Sequence, residues 1–393
     1  MSDTQKIGKR AIVIGGSLGG LFTGCLLQNM GWDVDIYERS PHELESRGGG
    51  IVLQPEVVRA FNLAGVQYQK PLGVIANERY YLDNNGNVTQ AMVIHQILTS
   101  WGMLFGSMKR HFPAEQYHVA KKLVNFTQDK DTVTAFFEDG TSETGDMLIA
   151  ADGAHSHVRA LLFLGSKPHY AGYVAYRGLV DEKDLPNEAT KIFTERFVFQ
   201  QFPNSHILQY VVPGEDESLE PQKRRFNWVW YVNYDEEKEL PTILTDKGGK
   251  RHNYSIPPGE MHPDVERNMR AYAAKTLSPP FQQLITATKE PFVQSILDYG
   301  APKLVEGRVA LLGDAGFIPR PHTAASTSKA AANAIDLAET LAKHNQEVLD
   351  ALQAWEPSQM SLGHHLMQSG QTLGNRSQFS YGKGRHLDDT QES

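Results

Sequence analysis

At 393 residues, with 40% hydrophobic and 21% charged side chains, the chain has enough apolar material for roughly two cored domains. The net charge of −8 is spread without acidic or basic blocks, and Lys223-Arg224-Arg225 is too short for a nucleic-acid footprint, so nucleic acid is excluded as a partner. Cys25 is the single cysteine, which excludes an intrachain disulfide and a thiolate-built zinc site; no run approaches the ~20 apolar residues of a membrane span, and Ala11 to Ile14 is too short for a signal-peptide core, so a soluble cytoplasmic protein is expected.

Residues 10 to 39 read as strand, tight turn, helix and strand. Ala11-Ile-Val-Ile14 has the apolar run of a fully buried strand, Leu18, Leu21, Phe22, Cys25 and Leu26 form a helical stripe that Gly31 ends, and Val34-Asp-Ile-Tyr37 is the second strand. This is the pattern of a βαβ unit with a parallel sheet. Glycines 48 to 50 interrupt the chain before Ile51-Val-Leu53, and Pro55 opens a helix. From 74 to 96 the pattern alternates around Asn84-Asn85-Gly86, as in a hairpin. A helix is expected near 101 to 112, then strands near 117 to 124 and 131 to 137, and a strand ending at Met147-Leu-Ile-Ala-Ala151.

The texture from 172 to 234 is strongly β. Along Phe226 to Tyr234 the odd and even positions place large side chains on both faces, which suits a sheet covered on each side. Residues 213 to 224 and 241 to 264 read as excursions. Val309 to Leu312 is a buried strand delivering Gly313-Asp314-Ala315 into a turn. A proline-punctuated loop then enters a helix with Ala331, Ala334, Ile335, Ala338, Leu341 and Ala342 on one face.

Three strand ends carry the chemistry. Gly15-Gly16-Ser17-Leu18-Gly19-Gly20 lies between a buried strand and an amphipathic helix, where Gly15 makes the turn and Gly20 permits close packing. The helix N-terminus there is suited to a pyrophosphate, and Ser17 occupies the usual middle glycine. Glu38, 23 residues after Gly15, is placed to accept from both hydroxyls of a ribose, and Arg39 is either a phosphate-side contact or a surface charge. Asp152-Gly153 with Ser156 and Arg159 is the second strand end, and Gly313-Asp314 the third. In an open α/β sheet the ligand lies at the carboxyl ends of the strands. His155 and His157 have no matching ligand spacing, so no metal is expected.

In this order the motifs resemble the FAD-dependent aromatic hydroxylases, the single-component flavoprotein monooxygenases, over almost the whole chain. Within them the similarity is greatest to hydroxypyridine hydroxylases. It lies in Gly50-Ile-Val-Leu-Gln54-Pro-Glu, in Tyr170-Ala-Gly-Tyr-Val-Ala-Tyr-Arg177-Gly, and in the run from Gly313-Asp314-Ala315 to Pro319-Arg-Pro321-His322. The resemblance implies an α/β fold: a Rossmann-like FAD-binding domain with a parallel sheet (1–73, 97–171 and 292–393), interrupted by a β-rich substrate domain (74–96 and 172–291). It implies FAD as cofactor, with NADH or NADPH binding transiently, O2 as oxidant, a small aromatic substrate, and homodimerisation. Hydroxylation would pass through a flavin C4a-hydroperoxide.

Carried over residue by residue, Gly15, Ser17, Leu18 and Gly20 would receive the pyrophosphate, Glu38 the adenosine ribose and Asp314 the ribityl chain. Gly49, Gly50, Pro321, Ala324 and Ala325 would lie against the flavin, and Asp152 and Arg159 near the pyrophosphate and nicotinamide nucleotide. Trp101 stands where many members carry an FAD-contacting arginine, and Ala324-Ala325 replaces the usual glycines. His322 is the first candidate for the base that deprotonates a ring hydroxyl, the alternative being a loop histidine bonded to backbone. Tyr210, Gln201 and Gln54 are candidates to line the pocket, Tyr210 with a catalytic role, although tyrosines on such strands also serve as packing. Arg47 is a contact or a surface residue. Two other readings are an FAD oxidoreductase without oxygen insertion and a non-catalytic FAD-binding redox sensor.

Overall fold

The computed structural model describes residues 8–41, 44, 49–68 and 71–379. Arg47, Gly48 and the polar tail beyond 379 lie outside the described residues.

The first sheet has six strands in the order Val305–Glu306, Val309–Leu311, Met147–Ala150, Arg10–Ile14, Asp33–Tyr37 and Tyr117–His118. All neighbours are parallel except the first pair. Ala11, Ile12 and Val13 are fully buried between Met147–Ile149 and Val34–Ile36, as expected for strands covered on both faces. The helix Leu18–Asn29 follows the first strand, and Gly31 is in the left-handed region just past its end. Gly15 has φ +107°, and a side chain on Gly20 would stand 2.0 Å from the Gly15 carbonyl oxygen, so the strand-to-helix turn closes only with glycine at both places.

The second sheet has ten strands. Its path runs Ser255–Ile256, Phe292–Gly300, His169–Asp181, Arg225–Asn233, Ser205–Val212, Arg196–Phe202, Val74–Leu82, Val88–Ser100 and Gly50–Val52, with Phe317–Ile318 pairing off it. Gly50–Val52 follows a strand of the first sheet and Phe292–Gly300 precedes one, yet both pair within the second. The hairpin Val74–Leu82/Val88–Ser100 turns at Asn84–Gly86.

The two faces of Arg225–Asn233 separate as the alternation predicts. Phe226, Trp228, Trp230 and Val232 enter an apolar core with Phe193 and Phe281, while Val229 and Tyr231 pack with Tyr173 and Ala175 on the other side. Full burial of each of these aromatics contributes about 1.5–3 kcal/mol. Helices Pro263–Thr276 and Pro279–Ala287 cover the first face, so the second is free to form a site.

Two expectations are corrected. Residues 117 to 124 are not one strand: Tyr117–His118 pairs in the first sheet and Leu123–Gln128 in a separate three-stranded sheet. Between them Ala120 has φ +56°, and the Ala120 and Lys121 N–H groups donate to the Ser40 and Glu38 carbonyls, which breaks the ladder. In the helix Ser326–Lys343, Ala342 is exposed and Leu337 is buried, because the helix packs against both Leu18–Asn29 and the long helix Val348–Gln378. No helix of the described residues is long and apolar enough to cross a membrane.

Candidate active site

The strand ends of the first sheet open into a cavity of about 390 Å³ lined by Gly15, Ser17, Glu38, Arg39, Trp101 and Asp152, among others. Glu38 is buried, and its two oxygens accept from the Gly16 and Ser40 N–H groups at 2.9 and 2.8 Å. The bonds fix the carboxylate while leaving lone pairs for a ligand hydroxyl. Ser17 begins the helix Leu18–Asn29 without a side-chain cap, so both its hydroxyl and the first helical N–H groups are available to an anion. Leu18 is buried and Gly20 packs under the turn, so these two shape the loop rather than line the cavity.

Asp152 is a test of whether a ligand belongs here. Its Oδ2 accepts from the His157 and Val158 N–H groups at 2.7 and 3.3 Å, but the buried Oδ1 has no partner. Desolvation raises its pKa. An orphaned acceptor on a residue that lines this cavity fits a hydroxyl-bearing cofactor. His155, beside it, stacks on Tyr254 at 4.2 Å, and burial lowers its pKa.

Arg159 lies elsewhere than the resemblance implies. It is buried, does not line the cavity at the strand ends, and donates to the carbonyls of Ala154, Asp314 and Ala315 with its guanidinium 4.3 Å from the Tyr299 ring centroid. It joins the second strand-end motif to the third. Asp314 itself is paired: its Oδ1 accepts from Lys329 Nζ at 2.8 Å, and Lys329, buried in the helix Ser326–Lys343, also donates to the Phe317 carbonyl. Sequence reasoning missed Lys329.

A larger cavity, about 1200 Å³, lies on the exposed face of the second sheet. Its walls bring together Gly50, Gln54, Gln201, Tyr210, Pro321, His322, Ala324 and Ala325, residues spread over more than two thirds of the chain. Gln54 Nε2 donates to the Ala324 carbonyl at 3.1 Å, tying the Gly50 segment to the loop. Gly50 N–H donates to Asn227 Oδ1 at 2.8 Å. Ala324 has φ +52°, so alanine occupies a left-handed position that favours glycine, at a cost of about 1 kcal/mol. The helix that follows starts without a side-chain cap and with no acid in its first turn, leaving its positive end toward this cavity.

His322 is not alone. Its ring stacks on Tyr231 at 4.8 Å and stands 5.5 Å from His206, with Tyr173 Oη and Ser377 Oγ at 3.5 and 3.4 Å from its two nitrogens. Gln378 Nε2 donates to His206 Nδ1 at 3.1 Å, which leaves the ring proton on Nε2. The end of Val348–Gln378 therefore closes the polar side of the pocket, anchored by Asn233 Nδ2 donating to the Gln378 carbonyl at 2.6 Å. Neither His206 nor this helix end was singled out in the sequence.

Burial pushes the His206 imidazole down to about 4 and places His322 well below its ordinary value, the latter helped by coupling to His206 and by the nearby Arg320 charge. Both rings are neutral at pH 7. Burial also raises the Tyr210 hydroxyl, so it is a hydrogen-bonding group and not a phenolate. Between pH 6.5 and 4 the unfolded chain binds a proton at residue 206 that the folded chain does not. Stability should fall as pH drops through that window, by up to about 3 kcal/mol from this residue. Thermal unfolding followed from neutral pH downward measures it, and His206→Gln should flatten the limb; an unchanged slope in the variant would contradict the assignment.

A family model described as FAD binding domain-like matches residues 170–298, the span containing most of the sheet beneath the larger cavity. The chain is 35% identical over 372 residues to 2,6-dihydroxypyridine 3-monooxygenase of Paenarthrobacter nicotinovorans, covering 94% of this chain and 91% of that protein. The solved structure of 2,6-dihydroxypyridine-3-hydroxylase from Arthrobacter nicotinovorans matches with a TM-score of 0.90 at 32% identity, over 98% of this chain and 96% of that one. Klebsiella pneumoniae HpxO, solved with FAD and uric acid, shares the fold with a TM-score of 0.76 at 22% identity, over 97% and 92% of the two chains. A likeness at this level of identity, running through nearly the full length of both proteins, leaves one conclusion: the chain belongs to the FAD-dependent aromatic-ring monooxygenases.

Proposed function

We propose that this enzyme hydroxylates a hydroxypyridine, using NAD(P)H and O2. The observation that carries the reading is the convergence on one cavity of an aromatic sheet face, the positive end of the helix Ser326–Lys343 and two neutral histidines. The strong similarity to a 2,6-dihydroxypyridine 3-monooxygenase supports the choice of ring.

Gly15 and Ser17 hold the FAD pyrophosphate on the turn that Leu18 and Gly20 shape, Glu38 the adenosine ribose with Arg39 beside it, and Asp152 and Asp314 the hydroxyls toward the ribityl chain. Gly49, Gly50, Pro321, Ala324 and Ala325 bound the flavin ring. When bound, FAD takes a hydride from NAD(P)H and lets O2 give one oxygen atom to the substrate, the other leaving as water. His322, neutral at its depth, accepts the proton of the ring hydroxyl and so raises electron density at the carbon to be attacked. Tyr210, Gln201 and Gln54 orient the ring. We assign 1–73, 97–171 and 292–393 to the FAD-binding unit and 74–96 and 172–291 to the substrate unit, with Gly50–Val52 and Phe292–Gly300 lending strands to the latter's sheet. A cytoplasmic homodimer is the state we propose.

The test is NADH and NADPH oxidation by the FAD-loaded enzyme against a panel of hydroxypyridines and phenols, with product mass. Substrate-stimulated oxidation with a gain of one oxygen atom is expected. Stimulated oxidation without that gain favours an oxidoreductase that inserts no oxygen. His322→Ala should lower kcat by about 10²-fold or more with FAD content unchanged.

A further inference from the structure

We propose that the substrate ring carries an apolar substituent, alkyl or aryl, and that a row of side chains leading away from the histidines receives it. The inference rests on the hydroxylase reading and adds the class of ring.

The row is set by strand register. Val229 pairs with Leu208, Leu208 with Phe199, Phe199 with Tyr81 and Tyr81 with Gln90, across five consecutive strands of the second sheet. Opposed residues of neighbouring strands share a face, so the five side chains point the same way, and all five line the larger cavity. Burial falls along the row: Val229 is buried, Leu208, Phe199 and Tyr81 are half-buried, and Gln90 ends it with an exposed amide. Half-buried side chains of this size, side by side on a cavity wall, hold apolar surface that a ligand can still take from water.

The row begins at the proposed chemistry. Val229 stands two residues from Tyr231, on which His322 stacks. A chain of rings joins it from the side: Tyr210, Phe197, Phe199 and Tyr81 follow one another with centroids 4.6–5.4 Å apart. These contacts hold the rings in place without a ligand, so the surface is preformed. Arg79, the charged residue beside it, is engaged: Nη2 donates to Gln96 Oε1 at 3.2 Å, and the guanidinium lies 5.4 Å from the Phe197 and Phe199 centroids. The row itself bears no charge, which favours a neutral occupant.

A bare ring does not use this surface. Tyr231 and Tyr81 stand three strand spacings apart, about 14 Å, so one six-membered ring held at His322 and Tyr231 cannot also touch Tyr81. The cavity, about 1200 Å³, exceeds the roughly 300–1,000 Å³ of pockets that enclose drug-sized ligands. The flavin ring, placed at Gly50 and at Pro321 to Ala325, is bounded by other segments. A substituent on the substrate is the occupant that is continuous with the site.

The experiment is equilibrium binding to the FAD-loaded enzyme, read from the flavin absorbance without turnover. The probes are 2,6-dihydroxypyridine and its 3-propyl and 3-phenyl derivatives. Both derivatives should bind about 10- to 50-fold more tightly than the bare ring, a comparison that needs no variant. Tyr81→Ala and Phe199→Ala should each cut that ratio by about 3- to 10-fold, and Tyr81→Asp should cut it further, because a carboxylate would then face the apolar group.

A wild-type enzyme that hydroxylates the bare ring but binds the derivatives no more tightly overturns this inference alone. So does a gain in affinity that both alanine variants leave intact. A phenyl derivative that competes with NADH and not with 2,6-dihydroxypyridine also overturns it, since the row would then serve the nicotinamide co-substrate. An enzyme that binds none of the probes and hydroxylates no ring defeats the functional reading as well.

Discussion

Asp314→Ala is expected to destabilise the flavin-free protein by about 3 kcal/mol, more than Lys329→Met does, and the double variant to recover most of the loss. The asymmetry comes from exposure. The Lys329 side chain is 2% exposed and that of Asp314 34%, and burial already lowers the lysine pKa against the opposing pull of Asp314. Removing the carboxylate strands an ammonium whose remaining bond is to the Phe317 carbonyl. Removing the ammonium frees a carboxylate that water can reach. Replacing both leaves an apolar side chain in a largely apolar place. Urea unfolding of the three variants decides the matter, and an Asp314→Ala protein no less stable than Lys329→Met would remove the pair from the account. If Asp314 contacts the ribityl chain, Lys329→Met should also weaken FAD binding by letting the carboxylate swing, a loss seen by titrating flavin into the apoprotein.

Arg320→Met should cost about 3–5 kcal/mol, and Arg320→Lys should recover little of it. Arg320 is 1% exposed, and its Nε and Nη2 donate to the Asp298 carboxylate at 2.6–3.0 Å while Nη1 donates to Asn375 Oδ1 at 2.8 Å. The fork thus fastens three segments: the strand Phe292–Gly300, the loop carrying Pro321 and His322, and the helix whose end carries Ser377 and Gln378. A lysine supplies the charge but not the geometry. Loss of the fork should also loosen the polar wall of the cavity, raising KM for the ring more than it lowers kcat. Chemical denaturation and steady-state kinetics together test this, and an Arg320→Lys enzyme as stable as wild type would refute it.

Where a site residue is held by its immediate neighbours in sequence, its place in the fold was readable in advance. Gly15, Ser17 and Glu38 belong to one βαβ unit, where the spacing of turn, helix start and second strand end puts all three on one cavity. Gly50, Gln54, Pro321, Ala324 and His322 came from motif resemblance and do share a cavity wall. Arg159 shows the limit of such transfer. Its motif is present, but its guanidinium is spent on three backbone carbonyls.

The residues that escaped notice are those whose partners are remote. Lys329 was not singled out on its alanine-rich helix, and only packing against the Asp314 turn buries it. His206 was one polar residue on an alternating strand, and the Gln378 that sets its tautomer is 172 positions away. Arg177 was read as part of a motif, while its Nε without a hydrogen-bond partner is a property of the folded cavity.

The sequence by itself determined the parallel nucleotide sheet, the glycine turn and the two-faced aromatic strand, because periodicity and turn chemistry are local and leave their mark within a dozen residues, and its motifs carried the resemblance that implied FAD. Tertiary structure alone decided that strands at 50–52 and 292–300 join the second sheet, that the end of the last described helix walls the larger cavity, and which charges are paired. Those outcomes depend on long-range register and on desolvation, and both arise only when distant segments exclude water from one another.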